Sequence, residues 1–286
     1  MIRCILAALD GSESGRSAGK YAAHLALRMD AGLEALNVID ARSLEGPTLR
    51  DFTMHLGLEP FETYTQALRE VLETQAREVI SRFKEDAAEL GLPESHITPV
   101  IEIGIIAETI CTRALKADLV VMGQHGEHRT FSGGLLGSAS EQIVRRAARP
   151  VMVCPPTFAP IQRPLLAYDG SEPADNALHL ANDFASQLGT GLAVLIAVDG
   201  EQMTEEHAHA VRSRAEDYLA HCCLETEITL VEGHAEEQII EHAAKEAYDL
   251  IIMGAFGRGR IRELIVGSTT EYVMRKSTVP VMLTRV

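Results

Sequence analysis

One run of residues occurs twice in this chain, and it constrains the fold more than any other feature of the sequence. Asp118-Leu119-Val120-Val121-Met122-Gly123-Gln124-His125-Gly126 leads to Gly137-Ser138-Ala139-Ser140-Glu141. Asp249-Leu250-Ile251-Ile252-Met253-Gly254-Ala255-Phe256-Gly257 leads in the same way to Gly267-Ser268-Thr269-Thr270-Glu271. In each copy a short apolar run stops at a glycine, the pattern of a buried parallel strand that meets a turn. Glycines there let the backbone turn and approach a ligand with no Cβ in the way. The second glycine and its hydroxyl residues read as a helix start, with hydroxyls to cap it and an acid in the first turn. A helix N-terminus carries free N–H groups and partial positive charge, so the arrangement suits a phosphate. Arg258, Arg260 and Arg262 lie between the two glycine groups of the second copy, in a chain of formal charge −15.

The repetition extends beyond this run. Leu9-Asp10-Gly11-Ser12-Glu13 matches Tyr168-Asp169-Gly170-Ser171-Glu172, and each half closes on a short apolar run after proline, Pro150-Val151-Met152-Val153 and Pro280-Val281-Met282-Leu283. Between these landmarks strands and helices alternate. In the first half the strands are expected at Ile2–Leu9, Leu33–Ile39, Ile97–Ile101 and Val151–Val153, with a long amphipathic helix over Glu62–Leu90 stopped by Gly91 and Pro93. In the second half strands are expected at Leu165–Tyr168, Leu192–Val198 and Ile228–Val231, with a helix over Glu205–Cys223. Alternation of this kind implies a parallel sheet with helices on both faces. The expected architecture is two tandem doubly wound α/β domains of Rossmann-like type, each of about five strands. They cover 1–154 and 165–286, joined by a proline-rich linker over 155–164. Asp10 and Asp169 are 159 residues apart but Gly104 and Gly233 only 129, so the first half carries 30 extra residues between its second and third strands. In such sheets ligands bind at the carboxyl ends of strands where the strand order reverses. Asp10, Gly123 and Gly126 then converge, as do Asp169, Gly254 and Gly257.

The spacing G-x2-G-x9-G-[ST], preceded by an Asp just after the first strand, resembles the ATP-binding class of the universal stress protein family. Five separated features fall in the same order twice, so the resemblance covers nearly the whole chain. It implies a cytoplasmic stress-response protein that binds ATP, alone or with Mg²⁺, as a regulator and not as a rapid catalyst. Carried over by position, it places Ala167 and Asp169 by the base and sugar, Ala197 against the adenosine, and Met253 and Gly254 on the ribose side. Gly257, Gly267, Ser268 and Thr269 then hold the phosphates. The matching residues of the first half are Ala8, Asp10, Val38, Met122, Gly123, Gly126, Gly137, Ser138 and Ala139. There the loop between Gly126 and Gly137 holds ten residues where the second holds nine, and Glu127 stands in place of Arg258. A carboxylate at that point repels a phosphate, so the second half is expected to bind ATP more tightly.

Composition narrows the alternatives. A chain of 286 residues with 46% hydrophobic and 23% charged residues has enough apolar content for two ordinary globular cores. Its apolar runs are too short to span a bilayer, and the opening run is too short for a signal peptide. The acidic balance disfavours nucleic-acid backbone as a partner. Five cysteines without a CxxC pair fit a reducing compartment. Gly15-Arg16-Ser17-Ala18-Gly19-Lys20-Tyr21 misses the Walker A spacing by one residue, and no G-x-G-x-x-G opens a βα unit. His207, His209 and His221 do not share a helix face and are expected to be solvated, not metal-bound. Asp10 and Asp169 also fit plain helix capping. Two other function classes stay open: a partner-binding scaffold that needs no nucleotide, and a slow ATPase or nucleotidyl-transfer enzyme. An adenine nucleotide, a protein partner of unknown kind and an intramolecular pair of like halves, with a homodimer also open, are the expected associations.

Overall fold

A computed structural model describes residues 1–45, 61–126, 138–200, 203–255 and 267–284. In the first repeat the strands are β1 (Cys4–Ala8), β2 (Gly32–Asp40), β3 (Ile97–Gly104), β4 (Leu119–Gly123) and β5 (Val151–Cys154). Its helices are α1 (Glu13–Met29), α2 (Ala41–Glu45), α3 (Phe61–Glu89), α4 (Ile106–Ala114) and α5 (Ser138–Arg146). The second repeat follows with β6 (Pro164–Ala167), α6 (Glu172–Leu188), β7 (Leu192–Val198), α7 (Glu205–Leu219), β8 (Thr226–Glu232), α8 (Ala235–Lys245), β9 (Leu250–Gly254), α9 (Ser268–Lys276) and β10 (Val281–Thr284). All the strands expected from the sequence form, with bounds shifted by a few residues. Part of the extra length of the first repeat lies in α3, which has 29 residues where α7 has 15. The rest of the expected insertion, over 46–60, lies outside the described residues.

All ten strands form a single sheet in the order β3-β2-β1-β4-β5-β10-β9-β6-β7-β8. Every pairing is parallel except the central one, where β5 and β10 run antiparallel with Met152 opposite Met282. The two repeats thus join through their last strands and relate by a pseudo-two-fold axis between those methionines. The physical reason is visible in the burial. The four residues of β5 and the four of β10 are all buried, whereas in the outermost strands β3 and β8 every residue but Ile97 is half-buried or exposed. A strand apolar on both faces cannot serve as a free edge, because its unpaired backbone and apolar side chains would both face water.

Side chains from the two repeats merge into one core on each face of the sheet. One face holds α1, α3, α6 and α7 and runs through Met152, Cys154 and Met282 at the junction. The opposite face holds α4, α5, α8 and α9 and runs through Val151, Val153, Val281 and Leu283. Polar contacts fasten the same junction. Ile2 and Gln187 exchange two hydrogen bonds of 2.8 and 2.7 Å, and Arg28 donates to the Leu188 carbonyl at 2.6 Å. The segment between β5 and β6 lies on α1, where the Ala159 N–H donates to the Tyr21 hydroxyl at 3.2 Å and Phe158 packs edge-on against the Tyr21 ring.

Helix α1, whose start lies at the first crevice, is held against α3 by a charge cluster. Arg16 grips the Asp86 carboxylate with two hydrogen bonds of 2.7 and 2.8 Å, and Lys20 stands 3.4 Å away. Asp86 is only 4% exposed, and the Arg16 guanidinium, with help from Lys20, holds its carboxyl below the usual range against the opposing effect of burial. A lowered folded-state value means that the unfolded chain binds this proton more readily. The stabilisation is therefore complete above the ordinary carboxylate pKa of about 4 and disappears as the pH falls through the folded value. Asp86→Asn should cost about 1–3 kcal/mol at pH 7, and the gap from the parent should narrow in acid, as read by denaturant unfolding at several pH values. At the junction, Met152→Ala and Met282→Ala should each cost roughly 2–5 kcal/mol. Since the two side chains face each other, the double variant should depart from additivity, which the same unfolding experiments measure.

Candidate functional site

The order of strands reverses once in each repeat. From β1 the chain winds outward through β2 and β3, then crosses back to place β4 on the other side of β1. From β6 it winds through β7 and β8 and returns to place β9 on the other side of β6. Two crevices result, at the carboxyl ends of β1 and β4 and of β6 and β9, where a doubly wound sheet opens to a ligand.

The residues expected at these places do come together. Ala8 ends β1 in register with Met122 of β4 and Leu36 of β2. Ala167 ends β6 in register with Leu195, two residues before Ala197 in β7. Ala8, Val38, Ala167 and Ala197 are half-buried while the strand centres behind them are closed, so small apolar side chains floor each crevice. Met122 and Met253 are 3% and 5% exposed, with side chains in the core on the α4–α9 face, and so they offer the crevice main chain only. Gly123 and Gly254 permit the closest approach. A methyl group at Gly123 would lie 2.7 Å from the Gly15 nitrogen and the Ser14 carbonyl carbon. One at Gly254 would lie 2.7 Å from the carbonyl carbon of Pro173. Each strand end therefore butts against the first turn of the helix that follows β1 or β6.

The aspartates take related positions. Asp10 Oδ1 accepts the Ser12 N–H at 3.1 Å and lies 2.7 Å from the Ser12 hydroxyl, while Asp169 Oδ1 accepts the Ser171 N–H at 2.9 Å. The N-caps of α1 and α6 are the serines, not the aspartates, so each carboxylate braces the cap from two residues before it. The second oxygen of Asp10 faces Gly126, where a methyl group would come within 3.1 Å of it. In the first repeat the turn is also tied across the crevice, because the Ser14 hydroxyl donates to the His125 carbonyl at 2.6 Å. Pro173 occupies the matching place in the second repeat and has no such hydroxyl. There Arg214 of α7 donates to the Gly170 carbonyl at 3.1 Å instead.

Helix α9 departs from the sequence expectation in one respect. Its N-cap is Gly267, with no side-chain hydrogen bond, so the hydroxyls of Ser268 and Thr269 do not cap it. The N–H groups of its first turn are left without a partner inside the helix. What the sequence reading missed is the hydroxyl at the third position after the glycine, which turns inward: Thr270 donates to the Gly254 carbonyl at 3.4 Å and Ser140 to the Gly123 carbonyl at 3.1 Å. These bonds seat the start of α5 and α9 against the end of the preceding strand. The only signal was that a hydroxyl recurs three residues after Gly137 and Gly267. Gly267, Ser268, Thr269 and Ala139 lie at the mouth of the crevices, half-buried or exposed. Gly137, Gly257, Glu127 and the arginines 258, 260 and 262 lie outside the described residues. Among the described residues no three His, Cys, Asp or Glu side chains gather as metal ligands, and no helix is long and apolar enough to cross a membrane.

Comparison with known proteins agrees with this fold. The model of the universal stress protein family matches the chain twice, over residues 1–155 and 160–285. The chain belongs to the universal stress protein family. A universal stress protein of Synechocystis is 31% identical over 290 residues, an alignment that covers 98% of this chain and 99% of that one. A shorter universal stress protein of Thermus aquaticus is 34% identical over 132 residues, 96% of its own length but 42% of this chain. Among solved structures, a universal stress protein from Archaeoglobus fulgidus superposes with a TM-score of 0.72 at 21% identity, covering 99% of this chain and 98% of that one. That likeness concerns the fold. The present chain is thus the tandem form of the family, with both repeats built into one sheet.

The tightness of the two strand ends can be tested directly. Gly123→Ala and Gly254→Ala should each destabilise the fold by about 1–3 kcal/mol through overpacking against the start of α1 or α6, measured by urea unfolding.

Proposed function

We propose that this universal stress protein binds an adenine nucleotide, ATP in the first instance, in each of its two crevices and serves as a regulatory binding protein. The observation that carries the reading is one convergence, made twice: a carboxylate beside an apolar floor, a strand end without side chains, and the start of a following helix. In the second crevice that helix, α9, has Gly267 as its N-cap, and among the described residues no side chain caps its first-turn N–H groups. Uncapped N–H groups at the positive end of a helix dipole match an anionic phosphate. Ala167 and Ala197 would floor the adenosine, and Asp169 would stand by the sugar. Met253 and Gly254 would present main chain to the ribose, with Gly267, Ser268 and Thr269 toward the phosphates and Gly257 completing the loop. In the first crevice the same roles fall to Ala8, Asp10, Val38, Met122, Gly123, Gly126, Gly137, Ser138 and Ala139. Mg²⁺ would enter with the nucleotide, whose phosphates supply ligands to it. Binding without rapid turnover is proposed because the sequence has neither a Walker lysine nor paired metal carboxylates near the motif. A cytoplasmic setting and a protein partner that reads the nucleotide state belong to the same proposal.

Freshly purified protein, denatured and examined by chromatography, should release an adenine nucleotide, or should bind added ATP in calorimetry if none is carried. A chain that neither carries nor binds one favours the scaffold reading. The intact nine-residue spacing also assigns the tighter site to the second repeat. Gly267→Val should remove the stronger phase of binding while Gly137→Val leaves it. Loss of a pair of charge-assisted donors changes affinity by tenfold or more, so the two outcomes separate clearly.

A further inference from the structure

Gln124 lies between Gly123 and Gly126 of the first crevice, yet its side chain leaves that repeat. The amide is buried, 6% exposed, and its Nε2 donates to the carbonyls of Met274 and of Arg275, the latter at 3.3 Å. Both carbonyls belong to the last turn of α9, the helix whose N-terminus opens the second crevice. The last carbonyls of a helix have no partner within it, and burial makes an external donor valuable to them. The other end of α9 is anchored by the Thr270 hydroxyl on Gly254. One nine-residue helix, roughly 13 Å long, therefore spans from the loop of one crevice to the mouth of the other.

The loop end of this link is held just as closely. The Gln124 N–H is fixed to the Cys154 carbonyl at 2.9 Å, and the next residue, His125, exchanges hydrogen bonds with Ser14 on the start of α1. A ligand seated against Asp10 and Gly126 bears on this segment. The matching residue in the second repeat is Ala255, whose N–H is fixed to the Thr284 carbonyl but which has no amide to reach α5.

Resting on the nucleotide-binding reading above, we infer that Gln124 couples the two crevices: it is a positioning residue that transmits occupancy of the first to the phosphate end of the second through α9. The contact runs one way, but binding linkage is reciprocal, so ATP in either crevice alters the affinity of the other by the same factor. A single hydrogen-bonded contact of ordinary net strength supports a factor of about two to ten.

A double-mutant cycle on the full chain tests this by ATP calorimetry. Gly267→Val removes the second, tighter site, which in the parent fills first. Gln124→Met keeps the side-chain length without the donor, and Gln124→Ala copies the residue that the fold already accepts at 255. Circular dichroism melts identify which of the two variants keeps its fold, and that one carries the cycle. In the parent background the first site fills only after the second, so Gly267→Val should shift the first-site dissociation constant about two- to tenfold. In the Gln124 variant the same change should leave it unmoved. Equal shifts in both backgrounds, or none in either, would overturn the coupling while leaving nucleotide binding intact. A parent chain that binds no ATP would overturn the nucleotide reading itself, and the coupling with it.

Discussion

The antiparallel pairing of β5 with β10 is the contact on which the rest of the molecule depends. Both strands are buried on both faces, so each repeat alone would end in a backbone edge flanked by apolar side chains. Their union removes both edges and leaves only β3 and β8 at the rims of the sheet. It also decides where the cores lie. Met152 and Met282 join the layer on one face, and the flanking valines and Leu283 join the layer on the other. The repeats are units of sequence, but the cores that stabilise them are common property.

That junction sets the relation between the two crevices. Each forms where its own strand order reverses, so its parts come from within one repeat. The helices that close the crevices, however, sit on the same face as the interface valines, and α9 reaches the first repeat through the buried amide of Gln124. The pseudo-symmetry is broken at several such points. Ser14 becomes Pro173, Gln124 becomes Ala255, and the 29-residue α3 answers to a 15-residue α7.

Much of this was legible in the residues. The runs Leu119–Gly123 and Leu250–Gly254 read as buried strands because no polar residue interrupts them, and they are β4 and β9. Gly91 after the periodic stretch marked the end of α3 to within two residues, since a left-handed φ of 88° there suits glycine. The pairing of the last strands followed from their apolar character and their place in the order. Other features had no local signature. Nothing near Gln124 says that its amide will meet carbonyls 150 residues away, because that contact exists only once the two halves are docked. Likewise three hydroxyls in a row after Gly267 read as caps, and which of them turns inward is set by the carbonyl of Gly254, a tertiary neighbour. Residues 127–137 and 256–266 lie outside the described structure.

Joining the halves covalently has a consequence of its own. Two separate copies of a single repeat would meet at a rate set by their concentration and would part on dilution. Here the partner of β5 is always present, held by the short segment over 155–163 and by the bonds between Ile2 and Gln187. The paired state is therefore indifferent to how many molecules the cell contains. A homodimer must also carry every substitution twice, once in each subunit. A fused chain is released from that duplication, so one crevice can be altered while the other keeps its inheritance.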